Sequence, residues 1–217
     1  MTKQPSKIFF DWGGTIIRDA DLFNDIASKS NSTRRYKDPN DWKDIRTIGN
    51  LNHFEDIKSK FFERGETYPY ALNVVSKYTG HSLQAKSQSF VIFDGSPIIN
   101  GKKDALNIQF LLSKALSKKN AKSNGIFVES NKVQLAKSLG CEILVEDDPR
   151  IALAAASAGI KVVLMLRKWN RVFSLESLSL LMKPKNFETI TSKMFLAEDW
   201  IEADSIIDSL LGVKENG

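Results

Sequence analysis

Short, uninterrupted apolar runs alternate with helical spacings over the later part of the chain, and this alternation is the strongest pattern in the sequence. Lys7 to Asp11 is a β-branched and aromatic run that ends in a carboxylate. Gly13, Gly14 and Thr15 follow at once, so a buried strand is expected to deliver Asp11 to a loop at its C-terminal tip. From Ser89 the pattern becomes regular. Strands are expected at 89–93, 125–128, 142–145 and 161–166, with helices at about 103–118, 131–139 and 149–158 between them. Pro149 in the first turn and Gly159 just past the end bracket the alanine-rich third helix. Continuous apolar strands separated by helices predict a parallel sheet covered on both faces, an α/β architecture of Rossmann-like form. The strand at 161–166 is expected to be the last, followed by a Leu/Ser-rich stretch and a terminal amphipathic helix around Trp200 to Leu210.

Residues 18–88 break this rhythm. They are polar, rich in Lys, Asn, Asp and Ser, and hold helical spacings such as Ala71, Leu72, Val75 and Tyr78 with no convincing strand. Residues 1–17 and 89–217 are therefore expected to form the core, and 18–88 a helical module inserted after the first strand. A chain of 217 residues is long enough for one core carrying such an insert.

Composition narrows the classes. Hydrophobic residues at 42% and charged residues at 26% describe a packed globular protein. The net charge of +5 arises from scattered basic residues, which suits an anionic small molecule and gives no basic block for nucleic acid. One cysteine, Cys141, excludes an internal disulfide and a multi-thiolate metal site. No window reaches membrane-spanning length, and a cytoplasmic location is expected. His53 and His81 lack ligand spacing.

In open parallel sheets ligands bind at the carboxyl ends of the strands. The polar residues expected there are Asp11, then Asp94 and Ser96, then Ser130 with Lys132, then Asp147 with Asp148. Carboxylates from separate strand ends plus a lysine suit a hard divalent cation and a phosphate. Taken alone, Asp147-Asp148-Pro149-Arg150 also reads as a helix N-cap with an acidic first turn, and the two roles are compatible.

Phe9-Phe10-Asp11-Trp12-Gly13-Gly14-Thr15 resembles the first motif of haloacid-dehalogenase-like (HAD) enzymes. Val145-Glu146-Asp147-Asp148-Pro149-Arg150, with the helix running to Gly159, resembles their fourth. Lys132 best matches the lysine of the third, with Lys137 as its rival. The resemblance implies a HAD-like core with a cap in the insert, and an aspartyl-phosphate formed on Asp11. It also implies Mg2+ held by Asp11, the backbone carbonyl of Gly13 and Asp147. Asp148 would bind the metal through water or position Lys132. Thr15, Trp12, Asp94 and Ser96 would lie on the substrate side, and the substrate would be a small phosphorylated molecule. Glu146-Asp147-Asp148-Pro149, Trp169-Asn170 and Trp200 together resemble the 5′-(deoxy)ribonucleotidases of the cytosolic type C group.

Two positions depart from the family pattern. A general acid/base Asp is expected two residues after the nucleophile, where this chain has Gly13, and a Ser or Thr is expected near Asp94. An impaired module that binds metal or a phospholigand is thus one alternative. A phosphonatase-like hydrolase is another, because phosphonoacetaldehyde hydrolases carry a similar Asp-Trp-Ala-Gly-Thr run.

Overall fold

A computed structural model describes residues 5–18, 65–80, 87–94, 102–129, 131–167, 170 and 184–213. Six strands, β1 (Ser6–Asp11), β2 (Ser87–Asp94), β3 (Gly125–Glu129), β4 (Cys141–Glu146), β5 (Lys161–Met165) and β6 (Met194–Ala197), form one sheet in the order β3-β2-β1-β4-β5-β6. Every neighbouring pair is parallel. The helices among the described residues are α1 (Ala71–Lys77), α2 (Lys102–Lys118), α3 (Lys132–Ser138), α4 (Pro149–Ser157), α5 (Pro184–Thr191) and α6 (Trp200–Leu211). None of them is long and apolar enough to cross a membrane.

The period of two along each strand sorts the core into two layers. Ile8 and Phe10 face one side with Val91, Phe93, Ile143 and Val145, against α1, α2 and α6. Phe9 faces the other with Ile92, Leu144 and Val162, against α3, α4 and α5. On that second face Phe9 stacks on Phe90, ring centroids 5.0 Å apart. The small side chains Ala152, Ala155 and Ala156 let α4 lie close to the sheet.

β6 corrects the expectation that 161–166 is the last strand. It has four residues and one sheet neighbour, β5, so too little apolar sequence marks it.

Residues 16–18, just after β1, pair with residues 66–68. The Arg18 amide donates to the Glu66 carbonyl at 2.8 Å, the Tyr68 amide donates to the Ile16 carbonyl at 2.9 Å, and Ile17 and Thr67 form an antiparallel bridge. Residues 66–80, which fall within the interval expected as the insert, pack on the core: Ala71, Val74, Val75 and Tyr78 join the layer under α6.

β1 and β4 are adjacent while their sequence neighbours run outward to opposite edges, so the strand order reverses between them. The crevice at such a switch point is where ligands bind in open α/β sheets. Asp11 and Glu146 are the last residues of those two strands.

Candidate functional site

The structure brings Asp11 and Lys132 together at this point, with Glu146 between the same elements. Asp11 ends β1, Glu146 ends β4, and Lys132 opens α3. The Lys132 ammonium donates to Asp11 Oδ1 at 2.7 Å and to Glu146 Oε2 at 2.7 Å, with all three side chains at most 5% exposed. Asn131 caps α3, its side chain accepting from the Gln134 amide, and so fixes the turn that aims Lys132 inward. Lys137, the rival, sits exposed in the last turn of the same helix.

Burial by itself works against the charge on Lys132, but the charges of Asp11 and Glu146 outweigh it and hold the ammonium above its ordinary pKa. Glu146 is pushed the other way from a normal carboxylate, up to about 7. Its burial comes first and the charge of Asp11 second, against the pull of Lys132.

Asp147 follows directly, 6% exposed, and its Oδ1 accepts from the Thr15 hydroxyl at 2.8 Å. Asp11, Glu146 and Asp147 each present a carboxylate oxygen within 4.8 Å of the others. Hard oxygen donors at this spacing fit a Mg2+ ion, which prefers carboxylates and water. Three carboxylates this close repel one another, and the ammonium of Lys132 neutralises only one charge. The residues present therefore fit the metal. Glu146 was not among the residues expected to line the site. It is the first residue past the strand expected at 142–145, where the reading that marked Asp147 and Asp148 would also have found it.

The remaining expected residues are placed as follows. Asp148 turns to the start of α4: its Oδ1 accepts from the Arg150 amide at 2.8 Å, and its carboxylate pairs with the Arg150 guanidinium at 2.5 Å. Burial would raise its pKa, but those contacts with Arg150 lower it. It lies outside the three-carboxylate group, and its observed contacts are those of a helix N-cap. Trp12 is fully buried and belongs to the hydrophobic cluster that also holds Ile16, Ile17, Val74 and Tyr78. Its indole Nε1 has no hydrogen-bond partner among the described residues. Gly13 bridges to Ile17. Gly14 adopts φ 67°, and a Cβ there would run into the Asp147 carboxylate, so both the backbone and the close approach require glycine. Asp94 ends β2 opposite Glu129, and Ser96 lies outside the described residues.

Residues after β5 complete the loop. Arg167, 7% exposed, donates from Nε to the Gly14 carbonyl at 2.9 Å and from Nη2 to the Thr15 carbonyl at 3.0 Å. Its guanidinium carbon lies 3.7 Å from the centre of the Tyr68 ring, a cation–π contact. Asn170 Nδ2 donates to the carbonyls of Asp147 and Met165, both at 2.8 Å. Trp200 Nε1 reaches the Thr15 carbonyl at 3.2 Å. These donors tie the loop after Asp11 to the loop after Glu146. Arg167 was not among the expected residues, although its position just past a buried strand is the same signal that marks Asp11.

No family model and no curated protein matches the sequence. Solved structures do match the fold. L-2-haloacid dehalogenase from Xanthobacter autotrophicus, with chloropropionic acid covalently bound, superposes with a TM-score of 0.58 at 12% identity, over 95% of this chain and 100% of that one. A haloacid dehalogenase-like protein of unknown function from Agrobacterium tumefaciens gives 0.54 at 12% identity, over 95% of this chain and 99% of that one. A HAD family hydrolase from Deinococcus radiodurans, with bound phosphate and sodium, gives 0.53 at 10% identity, over 98% and 99%. The fold is that of the HAD-like hydrolases.

Proposed function

We propose that the protein is a magnesium-dependent HAD-like hydrolase that takes a phosphoryl group from a small phosphorylated molecule onto Asp11. The observation that carries this reading is the Lys132 ammonium set 2.7 Å from both Asp11 and Glu146, with Asp147 in the same buried group. A carboxylate nucleophile approaching a phosphate dianion needs positive charge beside it, and Lys132 supplies one such charge at the attacking residue. Asp11, Asp147, Glu146 and the Gly13 carbonyl would hold Mg2+. The metal's contribution would be to offset charge on the phosphoryl oxygens. Asp11 attacks phosphorus, Lys132 keeps Asp11 ionised and oriented, and Thr15 fixes Asp147. Arg167, Asn170 and Trp200 position the loops from behind.

The insert is proposed to act as a cap over this crevice. What supports this is that Arg18, where the expected insert begins, is hydrogen-bonded to Glu66, a residue within it, beside the Asp11 loop. A nucleotide is the narrower substrate that the resemblance to 5′-(deoxy)ribonucleotidases suggests.

Turnover of a panel of phosphate esters and nucleotides, with magnesium and with a chelator, tests the reading. Activity should require magnesium, and Asp11→Asn should abolish it while the variant still unfolds cooperatively. Tight binding of nucleotides or phosphate without product would favour instead the impaired binding module suggested by Gly13.

A further inference from the structure

We propose that the substrates of this site are acyl phosphates and related phosphoric anhydrides rather than alkyl phosphate esters. The inference rests on the phosphoryl-transfer reading above and concerns the proton the leaving group needs. When Asp11 attacks phosphorus, one Oδ–P bond forms and the bond from phosphorus to the leaving oxygen breaks, its electron pair departing with that oxygen. An alkoxide is too basic to leave without a proton. A carboxylate, whose acid has a pKa of about 4, or a phosphate leaves as a stable anion.

The described residues around Asp11 offer no group for that protonation. Each ionisable or hydroxyl side chain at the cluster is engaged in a contact that serves another purpose. Lys132 donates to two carboxylates at 2.7 Å each. Glu146 accepts at Oε2 from Lys132 and at Oε1 from the amides of Asp147 and Asp148, both at 3.1 Å, so both its oxygens face donors of the protein and neither is turned to a leaving group. Asp147 accepts from Thr15, which spends its hydroxyl proton there. Asp148 faces Arg150. The two residues that follow Trp12 in the loop are glycines and bring no side chain.

Thermodynamics points the same way. The aspartyl-phosphate on Asp11 is itself an acyl phosphate, so transfer from another acyl phosphate is close to an even exchange, whereas transfer from an alkyl ester is uphill. In the second step water attacks phosphorus, the Oδ–P bond returns its electrons to Asp11, and the proton from water ends on the released phosphate. With no positioned base to take that proton, the step is slowed by about 10²–10⁴, and the phosphorylated chain accumulates.

The test compares acetyl phosphate, p-nitrophenyl phosphate, phenyl phosphate and ethyl phosphate on the whole chain with magnesium. Acid-stable labelling of the protein is followed in parallel, with Asp11→Asn as the control. The expected result is a kcat/KM for acetyl phosphate at least about a hundredfold above that for ethyl phosphate. Values should fall steadily with leaving-group basicity, with a burst near one equivalent per chain and hydroxylamine-sensitive label absent from Asp11→Asn. Gly13→Asp should flatten the dependence by raising the ethyl phosphate rate most. Asp11-dependent turnover that is equal across the four compounds would overturn the leaving-group proposal and leave the phosphatase reading standing. Absence of both label and turnover with every compound would overturn both.

Discussion

At Glu146 two demands meet: it ends a buried strand, where a neutral side chain would pack most easily, and it must balance Lys132. Burial and the nearby charge of Asp11 raise its pKa from an ordinary 4.5 to about 7. A raised folded-state pKa means that the native chain holds the proton more tightly than the unfolded chain does. The stability this contributes is complete below pH 4.5, declines as pH rises, and is lost above about pH 7. Glu146→Gln has no such titration. In chelator, the stability of wild type relative to that variant should therefore fall between pH 5 and 7.5, by on the order of 1–3 kcal/mol. Urea unfolding of both proteins at stepped pH measures this. Parallel pH curves would mean that Lys132 compensates Glu146 completely. The position of this residue also shows what the sequence reveals and what it hides. Asp11, Lys132 and Asp147 were legible because each stands beside a turn signal at a strand end or helix start. Glu146 stood just past the expected strand at 142–145 and entered only within the Glu146-Asp147-Asp148-Pro149 run, and its pairing with Lys132 joins a strand end to a helix start that the packing of α3 brings together. Arg167 was hidden for a related reason: its partners are backbone carbonyls 152 and 153 residues away.

The elements were more legible than the contacts between them. β3, β4, β5, α2, α3, α4 and α6 lie within a residue or two of their expected bounds, because each apolar run is closed by a cap or a glycine. Asp148 begins α4, while Asp199 accepts from the Ile201 and Glu202 amides to begin α6 and Gly212 at φ 68° ends it. β6 escaped because an edge strand of four residues needs no long apolar run. The docking of α1 onto α6 escaped too, since polar atoms complete the apolar contact. The Tyr78 hydroxyl, in a side chain that is largely buried, lies 2.6 Å from Asp204 Oδ1 and 2.9 Å from Asp208 Oδ1. One hydroxyl proton cannot serve two carboxylates at once, so the pair would repel without Lys77, whose ammonium reaches Asp204 at 2.8 Å and Asp208 at 2.7 Å. Burial and both carboxylates raise the Tyr78 pKa well beyond its usual value, so it stays a donor. Tyr78→Phe should lower stability by about 1.5–3 kcal/mol, as loss of a buried hydrogen bond to a charged group does. Lys77→Ala, at an exposed ammonium, should cost less than about 1 kcal/mol. Thermal melts of the two variants check the order, and a larger loss in Lys77→Ala would show that the repulsion between Asp204 and Asp208 dominates this junction.

Over the whole molecule the charge is +5, yet the crevice at the strand reversal gathers three carboxylates within 4.8 Å. A basic exterior draws anions toward the protein, while the interior of the site favours a cation. Folding without metal must hold Asp11, Glu146 and Asp147 together against their repulsion, so an ion bound there stabilises the native chain and not the unfolded one. Magnesium at a hundred times its dissociation constant adds about 2.7 kcal/mol. For a chain of this size each kcal/mol moves the melting temperature by about 2–4 °C, giving a rise of roughly 5–11 °C over chelator. The site geometry separates two neighbouring aspartates in this experiment. Asp147→Asn removes a carboxylate from the group and should lose most of the rise. Asp148→Ala should melt lower in both conditions, by the 0.5–2 kcal/mol of a lost helix cap, about, and keep the rise, because Asp148 is committed to the Arg150 amide and guanidinium. Scanning calorimetry of the three proteins with magnesium and with chelator decides it. A rise lost in Asp148→Ala would bring that carboxylate into the metal's surroundings, and no rise in wild type would mean that Lys132 alone balances the acidic cluster.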